Sequence, residues 1–455
     1  MAAQPPSSPS PQPHAAPAKR LSRAQRVHES TPPERNRSVD LLRALAITVV
    51  VIGHWTIIAV TAENGLEPHG VINKAAWTHG LTWIFQVMPV FFLVGGYSNA
   101  LSWRSTRRKG HTYAGWLRAR LRRLGIPLIP LLIVWTAVCG IALSAGADPE
   151  TVRLASKMAL IPTWFLASYL VVIAAAPMYF VLWEKFGWWS IIGGMALACA
   201  VDAVSITVGS PLLGYPNYLI VWGTFQQLGF AWAEGRLERP IQRIALIVVG
   251  AVGLLLLVGP GPYPVSMLTV EGEAISNSYP TRVTMGFLGL IQTGIVLLAE
   301  KPLARLMQRP RLWFAAVLIN MRIMSWFLWH LTAMVGVGTL LVALNARTLL
   351  PEPLTGTWWA TRPLWWLALL AVTAVFVAIF GRFESVPADS RPAPPLWQPA
   401  IAAVLVIAGL AVMANDGMVK GDSLAWYLPA MPLAGLLLFG VVNWKGLTRR
   451  RQPPA

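Results

Sequence analysis

The feature that most constrains this chain is a series of apolar runs, each about 17–25 residues long, separated by short polar stretches. A helix of that length matches the roughly 30 Å hydrocarbon core of a bilayer. Lipid offers the backbone no hydrogen-bond partners, so only helices or closed barrels can span it. The runs are continuous rather than alternating, which selects helices. Composition agrees: 55% of residues are hydrophobic and 12% charged, against about 25% charged in soluble domains. Several of the 22 tryptophans lie near run ends, where indole rings settle at headgroup level. The expected fold is an all-α, polytopic integral membrane helical bundle.

About twelve transmembrane helices are predicted, near 39–62, 79–103, 124–145, 162–182, 188–208, 216–233, 241–259, 282–300, 318–344, 363–381, 398–414 and 425–444. The run 313–345 is too long for one straight span, and its first part is expected to lie in the interface. Residues 1–37 are rich in Pro, Ser and Ala without an apolar stretch, so a disordered tail with no secretory signal is expected. A short basic tail, 445–455, closes the chain.

Charge placement gives an orientation. If the N-terminal tail is cytoplasmic, the loops on its side hold roughly 28 Lys and Arg and the opposite loops about 7. That excess predicts both termini in the cytoplasm. It also accounts for the net charge of +18 without a nucleic-acid partner, because the cations sit between apolar runs. Cys139 and Cys199 each fall inside a run and read as small buried hydrophobes. No His/Cys cluster suggests a metal, and no halves repeat visibly, as those of many transporters do.

Chemistry concentrates in the first run. His54 follows Arg43 by eleven residues, and Asp40 precedes Arg43 by one turn. Eleven residues are about three helical turns, or roughly 16 Å of rise, so the three side chains share a face. Ionisable groups at such depth are costly and usually face a cavity or a partner. A shielded imidazole suits general-base work on a hydroxyl; a histidine that only hydrogen-bonds a neighbouring helix is the plainer alternative. His330, eight residues after Arg322, is expected either to contact substrate or support His54, or simply to pack. Asp202 is expected near the outer boundary in a solvated role. Gln226, Gln227 and Gln292 are expected to hydrogen-bond between helices.

The Arg43-to-His54 spacing preceded by Asp40 resembles the first-helix signature of the membrane-bound acyltransferase-3 family. Four further segments resemble that family in the same order: Pro89-Val-Phe-Phe-Leu-Val-Gly-Gly-Tyr97, Arg120-Leu-Arg-Arg-Leu-Gly-Ile-Pro127, Trp164-Phe-Leu166 and Phe327-Leu-Trp-His330. The resemblance covers roughly residues 35–380. It implies a core of about ten helices over 38–381, with two additional membrane helices over 398–444. This chain has Gly95 where the family often has Ser, and Phe327 where it has Tyr.

What the resemblance implies is transfer of an acyl group, often acetyl, from acyl-CoA to a hydroxyl of a cell-envelope glycan, lipid-linked sugar or small metabolite. His54 would be the base, with Asp40 and Arg43 positioning the donor or tuning His54. Arg120 and Arg123 would bind the phosphates of CoA, and Trp164 and His330 would line the substrate path. Acyl-CoA would be a donor substrate, with no tightly bound cofactor. The high share of Arg over Lys, taken with the family, points to a bacterial plasma membrane. The competing readings are a twelve-helix transporter and a catalytically inactive sensor or scaffold.

Overall fold

The computed structural model describes residues 21–61, 65–67, 70–386, 392, 395, 397–438 and 440. A short α1 (Arg23–Glu29) precedes the first long helix, α2 (Arg37–Ile57). An antiparallel hairpin follows, β1 (Ala59–Thr61) with β2 (Gly65–Glu67), Val60 opposite Leu66. The chain continues through α3 (Gly70–Lys74), α4 (Trp77–Phe85), α5 (Met88–Arg108), α6 (Tyr113–Gly125), α7 (Leu128–Ser144), α8 (Pro149–Leu160) and α9 (Pro162–Phe186). Next come α10 (Trp188–Val208), α11 (Asn217–Ala233) and α12 (Pro240–Val258), then a long loop to α13 (Val283–Leu298), α14 (Glu300–Leu306) and α15 (Pro310–Met321). The last elements are α16 (Ile323–Ala343), α17 (Gly356–Phe380), α18 (Trp397–Asp416), the hairpin β3 (Val419–Lys420) with β4 (Ser423–Leu424), and α19 (Tyr427–Leu438).

Among the described residues, eight helices are long and apolar enough to cross a membrane, or ten if two bent pairs each count as one span. The expected number was twelve. Every expected span holds a helix, and the shortfall lies in length and straightness. α6 and α7 meet at a 44° bend, α13 and α14 at 53°. α11 has 17 residues and α19 has 12. The long run 313–345 breaks at Arg322, which separates α15 from α16 and caps the carbonyl of Gly381 at 2.9 Å. The result is a mostly helical, multi-pass membrane protein.

α11 lies inside the bundle, with every residue from Val221 to Trp232 buried. It crosses α5 so closely that a Cβ on Gly96 would stand 2.5 Å from the Gln226 carbonyl oxygen, and one on Gly229 2.4 Å from that of Leu93. Only glycine permits this approach. Polar side chains secure the crossing: Asn99 Nδ2 donates to Gln226 Oε1 at 3.0 Å, and Gln227 Nε2 donates to the Tyr179 carbonyl at 3.3 Å. Gln292 Nε2 likewise donates to the Gln86 carbonyl at 2.8 Å, so all three glutamines bond between segments.

One end of the bundle gathers the basic loops. There Arg107 pairs with Glu184 at 2.8 Å, Arg104 with Glu234, and Arg243 with Glu300 at 3.2 Å. At the opposite end the 259–282 loop folds back over α4: Trp83 Nε1 donates to the Val265 carbonyl at 2.7 Å, and Met267 N–H donates to Thr82 Oγ1 at 2.8 Å. This loop overturns the solvated role expected for Asp202. That carboxylate is fully buried, receiving Arg282 Nη1 at 3.1 Å, Asn217 Nδ2 at 2.8 Å, Tyr263 OH at 3.1 Å and the Val283 N–H at 2.8 Å.

Two further features concern the ends of the chain. Part of the segment expected to be disordered is helical, since α1 is closed by a capping box between Ser22 and Gln25. His28 and Arg37 approach at 2.7 Å, and Val27 packs on the small cluster around Trp313. Residues 1–20 and the 445–455 tail lie outside the described residues. The two C-terminal helices join the main core: Ala402, Val406 and Leu436 belong to the same buried cluster as Trp55, Leu166 and Trp329.

Candidate active site

α2 begins at Asn36, whose side-chain oxygen accepts from the N–H groups of Ser38 and Val39 at 3.1 and 3.3 Å. That cap fixes the first turn and thereby the face carrying Asp40 and Arg43. Both residues line a cavity of about 730 Å³ at the basic end of the bundle, between α2, α5, α6, α9 and α16. This is an ordinary ligand-pocket volume. Its ionic lining comprises Arg35, Arg43, Arg120 and Arg123 against two carboxylates, Glu34 and Asp40. Cations therefore exceed anions in the wall, as a polyanionic ligand requires.

The charged groups are held in order. Asp40 accepts from Arg35 Nε at 2.6 Å and stands 3.6 Å from Arg43 Nη1. The Asp40 carboxylate raises the affinity of the Arg35 guanidinium for its proton above the usual value, chiefly through their hydrogen bond. Arg43 Nη2 donates to Ser98 Oγ at 2.8 Å, and Ser98 in turn donates to the Val94 carbonyl at 2.9 Å. The Arg43 side chain keeps 26% of its surface open, which places it at the cavity wall rather than in packed protein. Arg120 lies over the Trp116 ring at 5.5 Å.

His54 is seven residues beyond Ile47, the last residue of α2 that lines the cavity, a rise of about 10 Å. It meets His330 of α16: Nδ1 of His54 and Nε2 of His330 are 2.9 Å apart, with ring planes within 6° of parallel. His330 is wholly buried, and its Nδ1 is 2.8 Å from the Phe327 carbonyl. A carbonyl can only accept, so His330 Nδ1 carries the proton and, in the neutral ring, Nε2 accepts. His54 Nδ1 is then the donor, and the lone pair of His54 lies on Nε2. Trp55 steadies the pair by donating from Nε1 to the His330 carbonyl at 3.0 Å.

The seven residues singled out from sequence thus fall into three places. Asp40, Arg43, Arg120 and Arg123 share the cavity, and His54 and His330 pair beyond it. Trp164 lies outside the cavity lining, packed edge-on against Tyr218 with ring centres 6.4 Å apart, while its neighbours Phe165 and Leu166 line the wall. Sequence reasoning missed Ser98, Tyr169 and Phe165. Ser98 lies one helical turn after Gly95, a spacing that could have flagged it. A Cβ on Gly95 would stand 3.0 Å from the ring and hydroxyl of Tyr169, so tyrosine fills the space beside the glycine.

A family model described as an acyltransferase domain matches residues 36–382, from the cap of α2 to just beyond α17. No curated protein and no solved structure matches the chain.

Proposed function

Because the chain belongs to the acyltransferase-3 family, we propose that it transfers an acyl group, acetyl in the simplest case, from acyl-CoA to a hydroxyl acceptor within the membrane. The observation that carries this reading is the His54–His330 pair, in which one neutral imidazole fixes the tautomer of the other. A base held in a single tautomer and shielded from bulk water is what deprotonation of a hydroxyl requires. The arginine-rich cavity supports a donor bearing several phosphates, with Arg120 and Arg123 on the phosphates and Arg43 nearer the thioester.

In this reaction His54 Nε2 removes the proton from the acceptor hydroxyl as the oxygen attacks the thioester carbonyl carbon. The new C–O bond forms, the C–S bond breaks, and the leaving thiolate takes the proton back from the imidazolium. His330 orients His54 and accepts from its Nδ1–H throughout. The basic end faces the cytoplasm, where acyl-CoA is found, and His54 lies nearer the opposite face. A glycan, lipid-linked sugar or small metabolite would meet it there, in a bacterial plasma membrane.

The test is CoA release from acetyl-CoA by the purified chain in lipid. General-base catalysis contributes about 10²–10⁴-fold, so His54→Ala should lower release to that extent in folded protein. Equal release by wild type and His54→Ala removes His54 as the base. Failure of the wild type to bind any acyl-CoA removes the acyltransferase assignment and favours a transporter.

A further inference from the structure

The cavity and the histidine pair do not meet. Neither His54 nor His330 lines the cavity, whereas Phe165 of α9 and Phe327 of α16 do. These two rings pack edge to face with centres 5.3 Å apart. Phe165 is held from one side by Tyr169, with centres 5.7 Å apart and planes 21° from parallel, and from another by Phe91 at 5.5 Å. Phe327 lies 6.2 Å from the His330 ring, and its own carbonyl is the acceptor of His330 Nδ1. Both rings are therefore part of the cavity wall, and Phe327 is also the neighbour of His330, the partner of the candidate base.

We propose that Phe165 and Phe327 form an aromatic gate between the arginine-lined cavity and the His54–His330 pair, and that the width of its opening limits the acyl group that can pass. The proposal rests on the acyltransferase reading for the identity of what passes, but the barrier itself does not. Edge-to-face packing is directional and individually weak, so the closed arrangement is favoured without being locked. Rotation of Phe327 about its side-chain bonds leaves its carbonyl, and hence the histidine tautomers, in place. A gate built this way can admit a narrow thioester end while keeping bulk water from the base between turnovers. Phe327 carries both halves of that function: its ring closes the path and its backbone orients the histidines.

The test uses thiol labelling of the full chain in sealed membrane vesicles and needs no acyl donor. In a Cys199→Ala background, where Cys139 stays buried, His54→Cys is exposed to membrane-impermeant charged thiol reagents, one slender and one bulky. A separate Lys109→Cys variant, at an exposed position, identifies vesicles that present the basic face. From that face the bulky reagent should label His54→Cys about tenfold faster when Phe327→Ala or Phe165→Ala is added, with a smaller gain for the slender reagent. Phe327→Leu and Phe165→Leu provide milder openings should either alanine variant fail to fold. Equal labelling by both reagents with both rings intact overturns the gate, as does an unchanged rate in folded variants. Loss of acyl-CoA turnover without these labelling changes counts against the gate alone. Labelling as expected in a chain that never binds acyl-CoA counts against the acyltransferase reading alone.

Discussion

The charge clusters around Asp202 and around Asp40 are opposites. Around Asp202 one carboxylate receives four donors, from Arg282, Asn217, Tyr263 and Val283, and is wholly buried. Around Asp40, four arginines share a wall with two carboxylates and face about 730 Å³ of open space. The Asp202 carboxylate has its acceptor sites filled from within the protein, and its contacts with Tyr263 and Arg282 hold the 259–282 loop against α10. A cluster with excess cations beside a cavity has binding capacity to spare. Burial of charge alone therefore does not mark a site; charge left unbalanced at a cavity does.

The contrast can be broken experimentally. Asp202→Asn should cause the largest effect, on stability rather than chemistry, because removing one partner of a buried ion pair costs about 3–5 kcal/mol. Thermal unfolding in detergent would register it, and the turnover of the molecules that remain folded should be unchanged. A stable Asp202→Asn protein with defective turnover would mean that this cluster belongs to the site. Arg123→Met should do the reverse. The melting temperature should hold while KM for acyl-CoA rises roughly 10- to 100-fold, the equivalent of about 1.5–3 kcal/mol for a charged hydrogen bond. An unchanged KM would place the donor phosphates elsewhere. The smallest effect is expected for Gly95→Ser, which presses on the ring of Tyr169 and should cost about 1 kcal/mol, the low end for overpacking. Its readout is a shift of a few degrees in melting temperature, and a collapse of activity would show instead that Tyr169 takes part in binding.

How much of this was legible beforehand depended on whether a relation was local. Asp40, Arg43 and His54 lie on one helix, so spacing alone put them on one face. Support of His54 by His330 is among the expectations from sequence, but the tautomer lock is not, because it depends on the contact between two rings 276 residues apart and on the Phe327 carbonyl. Ser98 as the partner of Arg43 was hidden for the same reason. Trp164 and Phe165 are sequence neighbours separated by about 100° around the helix, and a motif match cannot say which one faces inward. Asp202 was misread because its helix end suggested solvent, while the loop that covers it departs from a helix further along the chain. The α1 helix was lost in an average over a polar tail, although Ser22 and Gln25 carry a capping-box spacing.

The direction of the histidine chain has a bioenergetic consequence. Its hydrogen bonds run from His54 to His330 and end on the carbonyl of Phe327, a group with no proton to pass on. By way of His330, a proton taken up by His54 would reach only that carbonyl. In the proposed reaction that proton returns instead to the leaving sulfur within the same turnover. The proposed reaction thus releases no free proton on either side, and its rate is expected to be indifferent to an imposed pH gradient or membrane potential. In that reaction the work of carrying an acyl group inward from one face is drawn from the thioester itself, not from the energised membrane.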